Sequence, residues 1–262
     1  MSGPDDNYKV EVVKAVGELA KTAYGDALAP MSKEVGKALS TLGRAINVAL
    51  APLRVVVWSY EQIEEYITES LERKLNGRGV PPERIQPPDI DVAVPAIEAL
   101  RYSKLRENYA SLLATAMDRD SAAEVHPAFV EILRQLTPDE AKILEFLPRL
   151  GLHEPLVDLG FILSQTGYFT IRRHVGTLES DANCSNAELF PTYIDNLCRL
   201  GLTEIPSIGL FEDWRYDRIL ELDITKQAEA QIPDGGEFHV ERKSFGLTSL
   251  GDSFRKACIS EP

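Results

Sequence analysis

Cysteine is scarce in this chain: Cys184, Cys198 and Cys258 are the three among 262 residues. An odd number at irregular spacing rules out a disulfide framework, so reduced thiols in a cytoplasmic protein are expected. Long apolar runs are lacking too. In the N-terminal stretch the longest uncharged run is Ala45 to Leu53, broken by Pro52 and closed by Arg54. Crossing a bilayer takes roughly 20 apolar residues. The opening MSGPDDNYKV is acidic and polar, unlike a secretory leader. Missing as well are HExxH, a Walker-type glycine loop, GxGxxG after a strand, GxSxG and CxxC. The four histidines (His126, His153, His174 and His239) fall in different predicted elements. Cys198 and Cys258 sit on predicted core faces, His126-Pro127 reads as a turn, and Asp118 and Asp120 as a helix end and its loop. No catalytic set, metal site, cofactor or small-molecule substrate is indicated, and the expectation is a protein that is not an enzyme.

A local absence is the most informative. From Val35 to Tyr60 there is no Asp or Glu, in a chain of net charge −13. The stretch ALAPMSKEVGKALSTLGRAINVALAPLRVVVW (Ala27 to Trp58) has Lys33, Lys37, Arg44 and Arg54 against the single acid Glu34. At helical spacing Val35, Leu39, Leu42, Ile46, Ala49 and Leu53 form one stripe. Such a basic amphipathic helix buries its stripe in a core, in a partner protein or in an anionic membrane surface. Lys37, Arg44, Arg54 and Trp58 are the candidate face for the last two. Peripheral attachment at the inner face of the membrane thus stands beside a cytoplasmic location.

The organisation reads as mainly α. Residues 1–76 carry helices from Tyr8 to Ala29, Ser32 to Ala51 and Leu53 to Leu75, punctuated by Pro30 and Pro52, with Asn76-Gly77 as the stop. Residues 77–95 hold five prolines, which predict an extended connector, pinned down by Val80, Ile85, Ile90 and Val94. Residues 96–136 complete the helical bundle, with Pro95 expected at a first helical position. Residues 137–262 open on Thr137-Pro138-Asp139-Glu140, a capping box. A helix from Leu189 to Leu200, a strand from Leu202 to Ile205, a helix over 216–230, a Gly235-Gly236 turn, a strand from Phe238 to Leu247 and a helix capped by Thr248 then follow. That order is a winged-helix-like α+β pattern. Val157 to Leu178 is ambiguous, with a strand at Phe169 to Val175 as one of two even readings.

A winged helix invites nucleic acid as partner, with Asn196, Arg199, Arg242 and Lys243 as candidate recognition-helix and wing contacts. Charge opposes it. Residues 137–262 carry 12 basic and 21 acidic side chains, a net of −9, which repels a polyanion. Specific DNA binding is therefore not expected, and a protein partner or self-association is.

Several segments resemble the Abi-alpha (abortive infection alpha) family of bacterial proteins. They are ALAPLRVVVW (Ala49 to Trp58), PPERIQPP (Pro81 to Pro88), VAVPAIEALRY (Val92 to Tyr102), NYASLLATAMD (Asn108 to Asp118), VHPAFVEILRQLTPDEAKIL (Val125 to Leu144), LCRLGL (Leu197 to Leu202) and LTSLGDSFRKAC (Leu247 to Cys258). The resemblance spans about residues 15 to 260. It implies a role in defence against phage, through abortive infection, and brings no catalytic residues with it.

Overall fold

The computed structural model describes residues 42–56, 63–147, 152–163, 167–206 and 212–259. Lys37, Trp58 and the helices expected before residue 42 lie outside them. The chain divides into two compact units, one running through Gln135 and the other from Leu136 to Ile259.

The first unit is helical: α1 Leu42–Leu50, α2 Leu53–Val56, α3 Glu64–Gly77, α4 Ile90–Leu100, α5 Arg106–Met117 and α6 Ala128–Arg134. Its centre is α5, against which α3, α4 and α6 pack. Every residue from Tyr109 to Met117 is buried. Asn108 to Met117 contains no charge, and Ala110, Ser111, Ala114 and Ala116 are small enough for neighbouring helices to approach on all sides. On α1 and α2, Ile46, Ala49 and Leu53 are buried in the same core. Of the described part of the amphipathic stripe, Ile46, Ala49 and Leu53 are core and Leu42 is half-buried.

The proline segment departs from an extended connector in two places. Pro82–Arg84 is a 3₁₀ turn, and α4 begins at Ile90, a turn and a half before Pro95. Asp89 is the reason: its side chain accepts from the Asp91 N–H at 2.8 Å and starts the helix. Pro95 therefore sits inside α4, not at its first position. Val80 and Ile85 are buried as expected, whereas Ile90 and Val94 are only half-buried. The stop after α3 is likewise displaced. Gly79, at φ +63°, adopts the left-handed conformation, while the Val80 N–H reaches the Leu75 carbonyl at 2.9 Å.

The PPERI motif is tied down by charge. Arg84 donates Nε to Asp118 Oδ1 at 2.9 Å and Nη2 to Oδ2 at 2.5 Å, and reaches Asp120 at 3.0 Å. Ile85 forms an isolated bridge with Asp118, flanked by Gln86 N–H to Met117 O and Arg119 N–H to Arg84 O. Asp118 and Asp120 are thus a helix end and its loop.

The second unit contains α7 Pro138–Phe146, β1 His153–Leu163, β2 Gly167–Val175, α8 Leu178–Asp181, α9 Phe190–Arg199, β3 Thr203–Glu204, α10 Asp217–Leu220, α11 Asp223–Glu229, β4 Gly236–Leu247 and α12 Ser249–Cys258. The four strands form one antiparallel sheet in the order β2-β1-β4-β3. The ambiguous stretch from Val157 to Leu178 resolves into the β1–β2 hairpin. It widens the sheet beyond the two strands expected, and β3 adds only two residues. The α9, β3, β4, α12 order does match the anticipated sequence of elements. The single helix expected over 216–230 is instead a 3₁₀ turn, Asp213–Tyr216, followed by α10 and α11. These cover one sheet face, where Val157, Leu159, Val175, Tyr216, Ile219 and Ala228 form the core.

Both sequence-read caps are present. Thr137 accepts from Glu140 N–H while Glu140 accepts from Thr137 N–H, and Thr248 accepts from Gly251 N–H at 3.0 Å. A Cβ on Gly251 would stand 1.8 Å from the Leu202 carbonyl oxygen, so only glycine lets α12 approach β3 this closely. The LTSLG motif is in that sense a packing motif.

Candidate functional site

The second unit's unusual chemistry gathers where β1 bulges. The β1–β2 register shifts twice, between Val157 and Leu159 and between Leu159 and Gly160. Bulges re-aim side chains, often beside functional sites. Here they bring Asp158 into the interior, 4% exposed, amid the apolar run LVDLGFIL. Opposite it His174, 2% exposed, takes φ +54°, a left-handed conformation that costs a non-glycine residue on the order of 1–3 kcal/mol. The His174 N–H donates to Asp158 Oδ1 at 2.9 Å, and Lys243 Nζ donates to Asp158 Oδ2 at 2.6 Å.

The imidazole has conflicting neighbours. Its Nε2 lies 3.1 Å from Asp195 Oδ1, on α9, and 3.0 Å from Arg173 Nη2. A protonated Nε2 donates to Asp195; an unprotonated one accepts from Arg173, so the two bonds exclude each other. Nδ1 is buried without a hydrogen-bond partner among the described residues, 3.7 Å from Asp158 Oδ1. Burial, the largest influence, pushes the imidazole pKa below its ordinary value, and the Arg173 charge acts the same way, against the opposing pull of Asp195 and Asp158. Burial also raises the Tyr168 hydroxyl, as do the charges of Asp158 and Glu241.

His174 also lines a cavity of about 390 Å³ with Arg172, Arg173, Glu179, Phe190 and Ile224. Glu179 Oε2 is buried and meets no donor among the described residues. Burial raises the Glu179 carboxyl above the usual carboxylate range.

A separate network fixes the loop before α9. Asp139 accepts from the Ser185 N–H at 2.9 Å, the Asn186 N–H at 3.1 Å, Lys142 Nζ at 2.9 Å and the Tyr193 hydroxyl at 3.3 Å. Burial would raise its pKa, but the Ser185 N–H, Lys142 and the Asn186 N–H together outweigh it and hold Asp139 at about 2. Cys184 beside it is pushed by burial up to about 11, and burial raises Cys198 too. Both remain thiols near neutral pH, a poor state for a nucleophile.

The candidates named from sequence are scattered among these networks. On α1, Arg44 is exposed; Arg54 pairs with Glu64 and donates to Asn47 Oδ1 at 3.1 Å. Asn196 donates to Glu140 Oε1 at 2.7 Å and accepts from Arg199 Nη2 at 2.7 Å. Arg242 pairs with Asp213 at 2.5 Å and lies over the Tyr216 ring at 5.3 Å. Lys243 belongs to the Asp158 pair. The four candidate wing and recognition residues thus all bond within their own unit. Sequence reasoning missed Asp158 and His174. The available signal was a lone acid inside an apolar run: buried charge in a strand demands a partner. Among the described residues no group of three or more His, Cys, Asp or Glu side chains could hold a metal ion, and no helix is long and apolar enough to cross a membrane.

The fold and these networks define a two-unit chain, a helical bundle and an α+β unit with buried ion pairs. It belongs to the abortive infection alpha family, whose model matches residues 59–258. A comparison with curated proteins found no match. A solved structure of an uncharacterized protein from the hydrocarbon-degrading marine bacterium Alcanivorax borkumensis SK2 is similar at 18% identity. The match covers 52% of this chain and 92% of that one, with a TM-score of 0.35.

Proposed function

We propose that this chain is a non-enzymatic phage-defence protein that acts in abortive infection by contact with another protein. The observation that carries this reading is family membership across residues 59–258. In this reading residues 31–58, with Lys37, Arg44, Arg54 and Trp58, form the effector face for a protein partner or an anionic membrane. The acidic α9, β3, β4 and α12 region serves as a winged-helix-like scaffold. The internal engagement of Asn196, Arg199, Arg242 and Lys243 supports a protein-contact role over nucleic-acid recognition, which needs cations aimed at phosphates. The thiol state of Cys184 and Cys198 supports a role without covalent catalysis.

The test is phage plating, survival and membrane potential in bacteria expressing the full chain, a truncation lacking residues 1–58, and Arg44→Glu/Arg54→Glu. Protection by the full chain and its loss in both variants is the expected result, with Arg44→Glu/Arg54→Glu still folded, since the truncation also removes the core residues Ile46, Ala49 and Leu53. If the truncation protects fully, the effector face lies elsewhere. Vesicle flotation with anionic lipid separates the targets: membrane attachment draws on roughly 1 kcal/mol per basic residue near the surface, and absence of flotation leaves the protein partner.

A further inference from the structure

The cavity beside β2 and α9 holds a buried carboxyl oxygen that no described residue satisfies. On one wall stands Arg172, exposed to solvent and making no ion pair or hydrogen bond among the described residues. On another, Glu179 Oε2 is buried and unmatched, although unmatched buried polar atoms are rare in folded proteins. Arg173 adds a second cation, divided between His174 and Asp195. Phe190 and Ile224 supply apolar surface between these polar groups. At about 390 Å³ the space falls in the lower range of small-molecule sites. A solvent-exposed guanidinium able to pair with an anion, across a small part-apolar space from a buried carboxyl oxygen without a donor, suits a ligand with both charges.

We propose that this cavity binds a zwitterionic small molecule of the size of a free amino acid. Its carboxylate pairs with Arg172, with Arg173 alongside, and its ammonium donates to Glu179. The ligand supplies the donor that Glu179 Oε2 lacks among the described residues, and the carboxylate meets a planar guanidinium suited to bidentate recognition. The strained backbone at His174 holds the adjoining Arg172 and Arg173 on this rim.

The experiment is calorimetric titration of the full chain with each of the twenty amino acids at up to millimolar concentration. The strongest binder is then retested as its N-acetyl and its carboxamide derivative. At least one amino acid binds saturably, and each blocked derivative binds at least about tenfold more weakly, the loss set by one unmatched buried polar group. Arg172→Ala and Glu179→Gln weaken it by a similar factor, whereas Arg199→Ala, outside the cavity lining, leaves it unchanged. Saturable binding by none of the twenty overturns the proposal. So does binding that survives both blocked derivatives. The derivatives keep the test decisive even where a variant fails to fold.

Discussion

The two units solve the problem of a stable interior in opposite ways. The helical unit buries α5 in apolar and small residues, and its buried ionisable groups, Lys74 and Asp118, answer partners at its margins, Glu107 and Arg84. The α+β unit buries Asp139, Glu140, Asp158, His174 and Asp252, most of them cross-linking elements distant in sequence. Helices satisfy their backbone internally and need only apolar stripes to associate. A bulged sheet and short irregular helices leave loops and strand ends to be fixed, and here charge does the fixing. The first unit is therefore sensitive to lost volume, and the second to lost partners and to acid.

The largest effect should come from Asp158→Ala, which leaves Lys243 and the His174 N–H without their acceptor. Breaking a buried pair costs on the order of 3–5 kcal/mol, so urea denaturation should show the second unit strongly destabilised. A change below about 1 kcal/mol, the range of exposed pairs, would mean that the pair is solvated. Next is Leu113→Ala, in the middle of α5, expected to cost about 3 kcal/mol through the cavity it leaves. Its denaturation profile should show loss confined to the first unit. Arg84→Ala should strand Asp118 and weaken the first unit less than the two substitutions above, since the guanidinium side of the interaction is exposed and screened. Proteolysis around residues 82–90 is the sensitive probe, and unchanged cleavage there contradicts the pinning role.

The smallest effects come from pH. Asp139, held at about 2 against an ordinary 3.8, contributes stability that is complete above 3.8 and is lost as pH falls toward 2. For His174 the lowered pKa means that the unfolded chain takes up the proton first. Its contribution is complete above about 6.5 and declines as pH falls below that value. Both losses belong to the second unit. Amide exchange at pH 7 and pH 5 should weaken β2 and α9 while leaving α5 unchanged; equal weakening of both units would remove the distinction drawn between them.

How much of this was legible differs by unit as well. The Thr137 and Thr248 caps were readable because a cap depends on residues within one turn. On α1 the burial of Ile46 and Ala49 followed from helical spacing, whereas α5, buried on every side, shows no single-face stripe. The start of α4 falls at Ile90 and not at Pro95 because the Asp89 side chain caps the helix more than a turn earlier. The β1–β2 hairpin stayed undecided since LVDLGFIL and GYFTIRRHV carry no period that distinguishes strand from helix. The identity of β1 depends on pairing with β4, about 80 residues away, and that of β2 on pairing with β1.

The sequence by itself determined the acidic balance through composition, the resemblance to the family through its motifs, and the helical first unit and the helix caps through short-range periodicity and local hydrogen bonding. Only the tertiary structure decided that Asp158, His174, Lys243 and Asp195 meet, and that Arg242 and Lys243 are held by carboxylates. The physical reason is burial. A charge's partner and its pKa depend on how much water the fold removes and which distant strand it brings close, and neither is written in the spacing of neighbouring residues.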